Sequence, residues 1–223
     1  MTGVQTCALP ISAGTSLAQA VDLATSVLGV FDKKASETAD IANKITQAAN
    51  SSKVSVEKLA LGLQYVGNTA AQSGISFEET TAAMAAMSNA GIKSGSTMGT
   101  GLRQFLVEVQ KPSQEFLKTL GQLGLSMSDV DLRANGLVGV VTKLRSAGFV
   151  ASDAIKSFDV RGAAAFNAML ADPAALDRQY QGLLNTKAAV NANEIQMNSL
   201  QAQTTRLTTS FANFASVGLE PIA

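Results

Sequence analysis

The chain contains no histidine and no tryptophan, and its one cysteine is Cys7. The absence of histidine excludes imidazole catalysis, most zinc sites and histidine-based pH switches. A lone cysteine cannot close a disulfide within the chain, so no disulfide framework holds this fold. We therefore expect no metal and no cofactor, and we assign no catalytic residue.

Charged and aromatic residues are also scarce. Charged side chains make up 15% of the sequence, against roughly 25% in ordinary soluble domains. Because 17 basic residues balance 17 acidic ones, no basic excess points to nucleic acid, and we expect no sequence-specific nucleic-acid partner. Aromatic residues are 5%, so much of the buried area must come from small side chains. We expect apolar surface to stay exposed unless copies associate.

The N-terminal segment has an unusual composition. Residues 1–21 carry no charge, but they lack the basic start of a signal peptide, and Pro10 interrupts the apolar run. Residues 1–11, MTGVQTCALPI, resemble the translation of a common sequencing adapter read from a GTG start. We predict that this segment, including Cys7, is not native sequence. We also expect the chain to be truncated at Ala223.

The spacing of apolar residues predicts an all-α fold. On the third helix, Leu59 and Leu63 lie on one apolar stripe, so we predict that both are buried. Segment 125–135 is the least helical part and permits a short strand. Helices are predicted over 12–31, 36–50, 55–70, 76–90, 102–110, 114–123, 137–147, 152–158, 162–171 and 174–217.

These predicted helices divide into two parts. Residues 12–172 are expected to form an Ala/Gly-rich multi-helix domain, because helices of 10 to 20 residues are joined by short loops. Residues 173–223 are expected to form a long C-terminal helix, which is either a coiled-coil segment or an exit from the domain.

The stretch from residue 74 to residue 103 is the one around which the chain is organised. Ser76 and Glu79 have the spacing of a capping box, in which each satisfies a free backbone N–H group of the other. Gly91 fits the left-handed residue that ends a helix. Three further glycines are expected to keep an open turn before Leu102 and Arg103 begin the next helix. These glycines are Gly95, Gly99 and Gly101.

The ordered series in this stretch resembles the core domain of phage tail tape measure proteins. In that family the pattern reads Gly-Ile-Lys, a small-residue loop, Gly-Thr, one residue, then Leu-Arg. The resemblance extends from about residue 13 to the end of the chain. The residues that match, here called the signature residues, are Gly91, Ile92, Lys93, Gly99, Thr100, Leu102 and Arg103.

The resemblance implies a structural protein of a phage or prophage rather than an enzyme. Such a protein sets tail length, templates assembly of the tail tube, and is released when the genome is ejected into the host. The implied partners are other copies of the chain, the tail tube protein and tail assembly chaperones. The implied location is the lumen of the tail tube in the virion, and the host cytoplasm before assembly. Membrane contact is expected only through regions outside this sequence.

Two parts of the same stretch have some features of a chemical site, one of an anion-binding loop and one of a catalytic pair. Segment 95–101 lies before a helix, where backbone N–H groups favour an anion, but it lacks the Gly-Lys-Ser/Thr ending of a P-loop. A flexible turn is the favoured interpretation. Lys93 and Ser94 are adjacent, but a catalytic Ser-Lys pair needs a buried lysine and an oxyanion site. Two solvated loop residues are therefore expected.

Other residue clusters have structural explanations that we favour. Asp129, Asp131 and Asp159 lack the alternating oxygen ligands of a calcium loop, so we expect caps and surface charges. Four methionines are more typical of a core than of a soft binding surface. They are Met84, Met87, Met98 and Met169.

The C-terminal segment carries a narrow apolar stripe with heptad-like spacing. Inside a globule it would be one more core helix, and outside it would be a coiled-coil seam. Both interpretations stay open, since Asn193 and Thr204 interrupt a strict seam. The stripe comprises Val190, Met197, Leu200, Thr204, Leu207, Phe211 and Phe214.

A function of another class is also compatible with the composition. Ala/Gly-rich amphipathic helices occur in bacterial helical interaction proteins and in secreted membrane-active proteins. The polar faces of these helices lack the Lys, Arg and Trp enrichment that membrane-active helices use, so the structural phage protein is favoured.

Overall fold

Ten α-helices and two 3₁₀ turns account for the regular structure of residues 17–184, the part of the chain that the computed structural model describes. These residues contain no strand, which confirms the all-α prediction. The 3₁₀ turns are Ala35–Glu37 and Met127–Val130. The helices are α1 (Leu17–Val30), α2 (Thr38–Ser51), α3 (Val56–Gln72), α4 (Phe77–Asn89), α5 (Gly95–Gln110), α6 (Gln114–Gln122), α7 (Leu132–Ser146), α8 (Ala151–Ser157), α9 (Val160–Leu170) and α10 (Pro173–Leu184).

Helix α4 lies at the centre of these helices. Residues 77–88 are all buried, and the helix packs against α2, α3, α5, α7, α9 and α10. A helix that is buried on every side needs small apolar residues all around its axis, and the alanines of α4 supply them. The polar residues of α4 therefore need partners inside the protein.

The ends of α4 follow the predicted local chemistry. At the start, Ser76 Oγ accepts from the Glu79 N–H at 3.1 Å, and the Ser76 N–H donates to Glu79 Oε2 at 3.3 Å. At the end, Gly91 has a φ of +105°, and the N–H of Ile92 donates to the carbonyl of Met87 at 3.0 Å. The capping box and the left-handed glycine are both confirmed.

The predicted glycine-rich turn before Leu102 is wrong. Helix α5 begins at Gly95, and the side chain of Ser94 caps it by accepting from the Thr97 N–H at 3.4 Å. Glycine has low helix propensity, so a local interpretation assigns these residues to a turn. Contacts with neighbouring helices outweigh that preference.

The strand that segment 125–135 permits does not form. The segment contains the 3₁₀ turn and the start of α7, whose N-terminus Asp131 caps by accepting from the Arg133 and Ala134 N–H groups at 2.8 and 3.0 Å. Helix α7 is kinked at Gly136, which has φ +66° and ψ +172°. The helix predicted over 137–147 thus begins earlier, at Leu132, and Gly136 is a kink inside it.

The core contains both of the leucines predicted to be buried and a cluster of aromatic rings. Leu59 and Leu63 of α3 are buried, as predicted. Five phenylalanines from the segment between α5 and α9 form a cluster whose contacting rings lie 5.0 to 6.2 Å apart. They are Phe105, Phe116, Phe149, Phe158 and Phe166.

Helix α10 packs back onto the core. Leu176 and Leu183 are fully buried, and the helix contacts α4, α2, α7 and α9. Ser51 Oγ donates to Gln179 Oε1 at 2.8 Å, which ties α10 to the end of α2. The predicted continuation of this helix to residue 217, with its heptad-like stripe, lies outside the described residues.

Candidate functional site

The signature residues lie at the junction between α4 and α5. Gly91 provides the left-handed end of α4, and Ile92 packs partly buried against the core. Leu102 is fully buried, whereas Lys93 and Arg103 are exposed. Thr100 is half-buried and Gly99 is buried within α5. The structure therefore brings the signature together as one helix–connection–helix unit, with its apolar members inward and its charges outward.

Two glycines of α5 allow the backbone of α3 to approach closely. A Cβ added to Gly99 would clash with the carbonyl oxygen of Gly62 and lie 2.9 Å from the Gly62 carbonyl carbon. A Cβ added to Gly95 would clash with the carbonyl oxygen of Lys58 and lie 2.9 Å from the Lys58 Cα. Residues four apart share one face of a helix. Gly95 and Gly99 thus form a flat surface against which α3 packs.

A third glycine serves the opposite neighbour of α5. A Cβ added to Gly101 would lie 2.8 Å from the Arg161 carbonyl oxygen and 2.9 Å from the Ala165 Cβ, both on α9. Real Cβ atoms avoid such distances. Helix α5 is therefore held between α3 and α9 at a spacing that only glycine permits at these positions.

The packing shows what the glycines of segment 95–101 do. The backbone of α3 lies directly beside Gly95 and Gly99, and α9 lies directly beside Gly101. The segment is helical from Gly95 onward, so the flexible-turn interpretation is wrong. Its glycines allow the neighbouring helices to pack closely against α5.

The other residues considered as catalytic or ligand-binding candidates have the structural roles that were predicted for them. Ser94 caps α5 and Lys93 beside it is exposed. Asp129 accepts from the Ser126 N–H at 2.9 Å, and Asp159 accepts from the Gly162 N–H at 2.7 Å. The four methionines named above are fully buried. Within residues 17–184, no group of His, Cys, Asp or Glu side chains has the arrangement of a metal site.

Sequence reasoning missed a buried ion pair between α2 and α4. Lys44 Nζ lies 2.5 Å from Glu78 Oε1 and 2.5 Å from Asp40 Oδ2. Lys44 is 8% exposed and Glu78 is 6% exposed. Asp40 and Lys44 show the ordinary i, i+4 spacing of a helix pair. No local signal indicated that Lys44 turns inward to a carboxylate on another helix.

The hydrogen bonds around this ion pair stabilise the charged forms of both side chains. Burial opposes the charge of Lys44, but its hydrogen bonds to Asp40 and Glu78 outweigh burial and raise the pKa of Lys44. Burial also opposes the charge of Glu78, yet the hydrogen bond from Lys44 and one from a backbone N–H hold the pKa of Glu78 below its ordinary value. Both groups are therefore charged at neutral pH.

The next carboxylate along α4 anchors a different helix. Glu79 Oε1 accepts from the Leu137 N–H at 2.7 Å, and a Cβ at Gly136 would lie 2.5 Å from the same oxygen. The kink in α7 thus exposes a backbone donor to Glu79, and only glycine leaves room for it. The first turn of α4 is tied to α2 through Glu78 and to α7 through Glu79.

Comparison with known proteins shows which family this chain belongs to. A sequence model of the family described as phage-related minor tail protein matches residues 8–216. The chain belongs to this family. The match includes α1 to α10 and most of the C-terminal segment, so it covers the whole described fold.

One curated relative has a more specific name. The chain is 31% identical, over 134 residues, to a protein named tape measure protein from Pneumococcus phage Dp-1. That alignment covers 60% of this chain and 12% of the relative. No solved structure matches the chain. No described helix is both long enough and apolar enough to cross a membrane.

Proposed function

We propose that this chain is a folded structural domain of a phage or prophage tail tape measure protein. The observation that carries the proposal is the match of the minor tail protein family to residues 8–216. The name of the Dp-1 phage relative supports the narrower assignment. The geometry agrees with a structural role, because Gly99 serves helix packing, and acidic side chains such as Asp159 and Glu78 cap a helix or form an ion pair.

In this proposal the whole protein sets tail length by its extended span. An α-helix rises about 1.5 Å per residue, so the reach of a helical chain grows linearly with its length. Residues 17–184 fold back on themselves as ten helices and therefore add little reach. The length-setting part lies elsewhere in a longer protein, and this domain is a folded body attached to it.

The proposal also includes a location and partners. The protein lies in the lumen of the tail tube, it templates assembly with the tail tube protein and tail assembly chaperones, and it leaves the tail when the genome is ejected. Before assembly it is in the host cytoplasm. These roles rest on the family and on the relative's name, and no step in them requires a catalytic residue or a cofactor.

Tail length measured by electron microscopy tests this function. In the phage that carries the gene, an in-frame deletion in a helical region outside residues 17–184 should shorten the tail by about 1.5 Å per deleted residue. The matched control is Leu63→Asp, which disrupts a buried position of the domain. It should reduce the number of tailed particles without changing the length of the tails that form. Tails of unchanged length after the deletion would refute the proposal.

Self-association through the C-terminal stripe is a further part of the proposal. Burial of each large apolar side chain in the seam would stabilise the associated state by about 1.5–3 kcal/mol. These side chains are Leu200, Leu207, Phe211 and Phe214. Thr204 would weaken the seam and help set its register. Analytical ultracentrifugation of the full chain should show concentration-dependent association that Leu207→Glu weakens. A wild-type monomer throughout, with a Leu207→Glu variant of lower stability, would show that the stripe packs within one chain.

A further inference from the structure

The kink in α7 coincides with a chemically reactive pair of residues. Asn135 is the only asparagine of the chain that precedes a glycine. The amide carbon of an asparagine side chain can be attacked by the backbone nitrogen of the next residue. Glycine permits this attack most readily, because it has no side chain to hinder the approach or to restrict the backbone. Asn135 is therefore the asparagine of this sequence with the highest intrinsic rate of deamidation.

The reaction needs only the chain and water. The Gly136 nitrogen loses its proton and forms a bond to Cγ of Asn135, the bond from Cγ to Nδ2 breaks, and Nδ2 takes up protons and leaves as ammonia. Water then opens the resulting five-membered succinimide at either of its two carbonyl groups. The product is aspartate or isoaspartate at position 135, so one carboxylate replaces one neutral amide.

The folded structure holds the reacting groups in an unreactive arrangement. Nδ2 of Asn135 donates to the carbonyl oxygens of Ser128 and Asp131, both at 3.0 Å. Within α7 only Gly136 has non-helical dihedral angles, so ψ of Asn135 is helical. Ring closure requires this ψ to leave the helical range and the side-chain amide to turn towards the Gly136 nitrogen. The reaction therefore waits until these hydrogen bonds open.

The segment that must open is a single helical turn. Residues 132–135 precede the kink, where Gly136 interrupts the helical backbone with φ +66° and ψ +172°. One turn of helix is not stable by itself, so contacts with the rest of the protein hold these four residues in place. Leu132 is the only one of the four that is buried.

Hydrogen bonds at the surface supply the other contacts of this turn. Asp131 caps it by accepting from two backbone N–H groups, and Nη2 of Arg133 donates to the Gln72 carbonyl oxygen at 2.7 Å. Segments with few buried side chains and solvent-exposed hydrogen bonds open locally, at a lower cost than global unfolding. Local opening of this turn is thus the easiest route to the reactive geometry.

The product does not fit the position that the amide occupies. A carboxylate at position 135 would meet the two carbonyl oxygens to which Nδ2 now donates, so two attractive contacts would become repulsive. It would also bring negative charge towards Glu79, whose Oε1 lies beside Gly136 and accepts from the Leu137 N–H. Isoaspartate additionally lengthens the backbone by one methylene next to this bond. The modification therefore weakens the tie between α7 and α4.

We propose that Asn135 is a site of spontaneous deamidation, that opening of residues 132–135 sets its rate, and that the product loosens the contact between α7 and α4. The native chain reacts more slowly than the unfolded chain but faster than global unfolding alone would allow. The inference concerns chemical ageing of the domain and does not depend on the proposed function.

Peptide mass spectrometry of the full-length protein, incubated at mildly alkaline pH, measures the reaction. Fragmentation that separates aspartate from isoaspartate should show both products at position 135. Arg133→Ala removes one surface bond of the turn without touching the reacting amide, so it should accelerate the reaction about fivefold. The matched control is Arg145→Ala, at an exposed arginine of α7 beyond the kink, which should leave the rate within twofold. The same variants in guanidinium chloride give the rates of the unfolded chain.

Two further variants separate the steps of the proposal. Gly99→Ala perturbs the contact between α3 and α5, away from this turn, so it should leave the rate within twofold. Asn135→Asp carries the charge of the product and should melt at a lower temperature than the wild type.

The proposal would be overturned if the native chain showed no conversion at position 135 while the unfolded chain converted, or if both reacted at the same rate. It would also be overturned if Arg133→Ala left the native rate unchanged, or if Gly99→Ala accelerated the reaction as much as Arg133→Ala, as a route through global unfolding requires. An unchanged melting temperature of Asn135→Asp would contradict the effect on α7 and α4. None of these results would alter the tail-length experiment, so the two proposals fail separately.

Discussion

Replacing Gly99 by alanine is expected to lower the free energy of unfolding by about 2–3 kcal/mol. In an open helix, alanine in place of glycine would raise stability by roughly 0.5–1 kcal/mol. At Gly99 the new Cβ meets the backbone of Gly62 on α3, which has no side chain that can rotate away. Helices α3 and α5 must therefore separate, and the residues between them lose contacts.

Chemical denaturation followed by circular dichroism measures this change. The matched control is Gly29→Ala, because Gly29 lies in α1 and a Cβ there meets no atom within 4 Å. The control should gain stability by roughly 0.5–1 kcal/mol. If Gly99→Ala also gained stability, the close approach of α3 and α5 would be wrong. Saturable phosphate binding that Gly99→Ala abolishes would restore the anion interpretation.

The second large effect is expected when the buried ion pair loses one partner. Lys44→Met leaves Glu78 without its neutralising cation, and loss of one member of a buried pair costs about 3–5 kcal/mol. The double variant Lys44→Met/Glu78→Leu removes both charges and should recover most of this loss, since an apolar pair of similar volume can replace a buried ion pair. A double variant as unstable as Lys44→Met would show that the pair contributes mainly through packing.

The pH dependence of stability gives an independent measurement of the same pair. The pKa of Glu78 is lowered by folding, so its contribution is present above its unfolded pKa and is lost as the pH falls through the folded pKa. The pKa of Lys44 is raised, so its contribution is present below its unfolded pKa and is lost as the pH rises through the folded pKa. The pair thus stabilises from weakly acidic to moderately alkaline pH. The double variant should lose less stability at the acidic and alkaline ends than the wild type.

The sequence alone predicts structural features whose interacting residues are close together in the chain. The capping box of Ser76 and Glu79 depends on residues three apart, and the left-handed Gly91 ends α4 within a single turn. Both could be predicted because the partners are neighbours in sequence. The burial of Leu59 and Leu63 followed from spacing along one helix, which needs no knowledge of the other helices.

Features that depend on contacts between residues distant in sequence could not be predicted in this way. The sequence predicts a turn at Gly99, because the low helix propensity of glycine is visible in the sequence and the close approach of Gly62 is not. The sequence does not indicate the ion pair of Lys44, because Glu78 lies on a different helix. The helix predicted from residue 137 begins at Leu132 instead, and its kink at Gly136 lies where the Leu137 N–H donates to Glu79 on α4, a contact that is not visible in the local sequence.

The central claim is that this chain is a structural component of a phage tail, and quantitative mass spectrometry of purified particles tests it most directly. Peptides from residues 17–184 should be present in intact virions together with the tail tube protein, at several copies per particle. They should be depleted from the same particles after genome ejection is triggered. If these peptides were abundant in infected cells but absent from purified particles, the assignment to the tail would be contradicted.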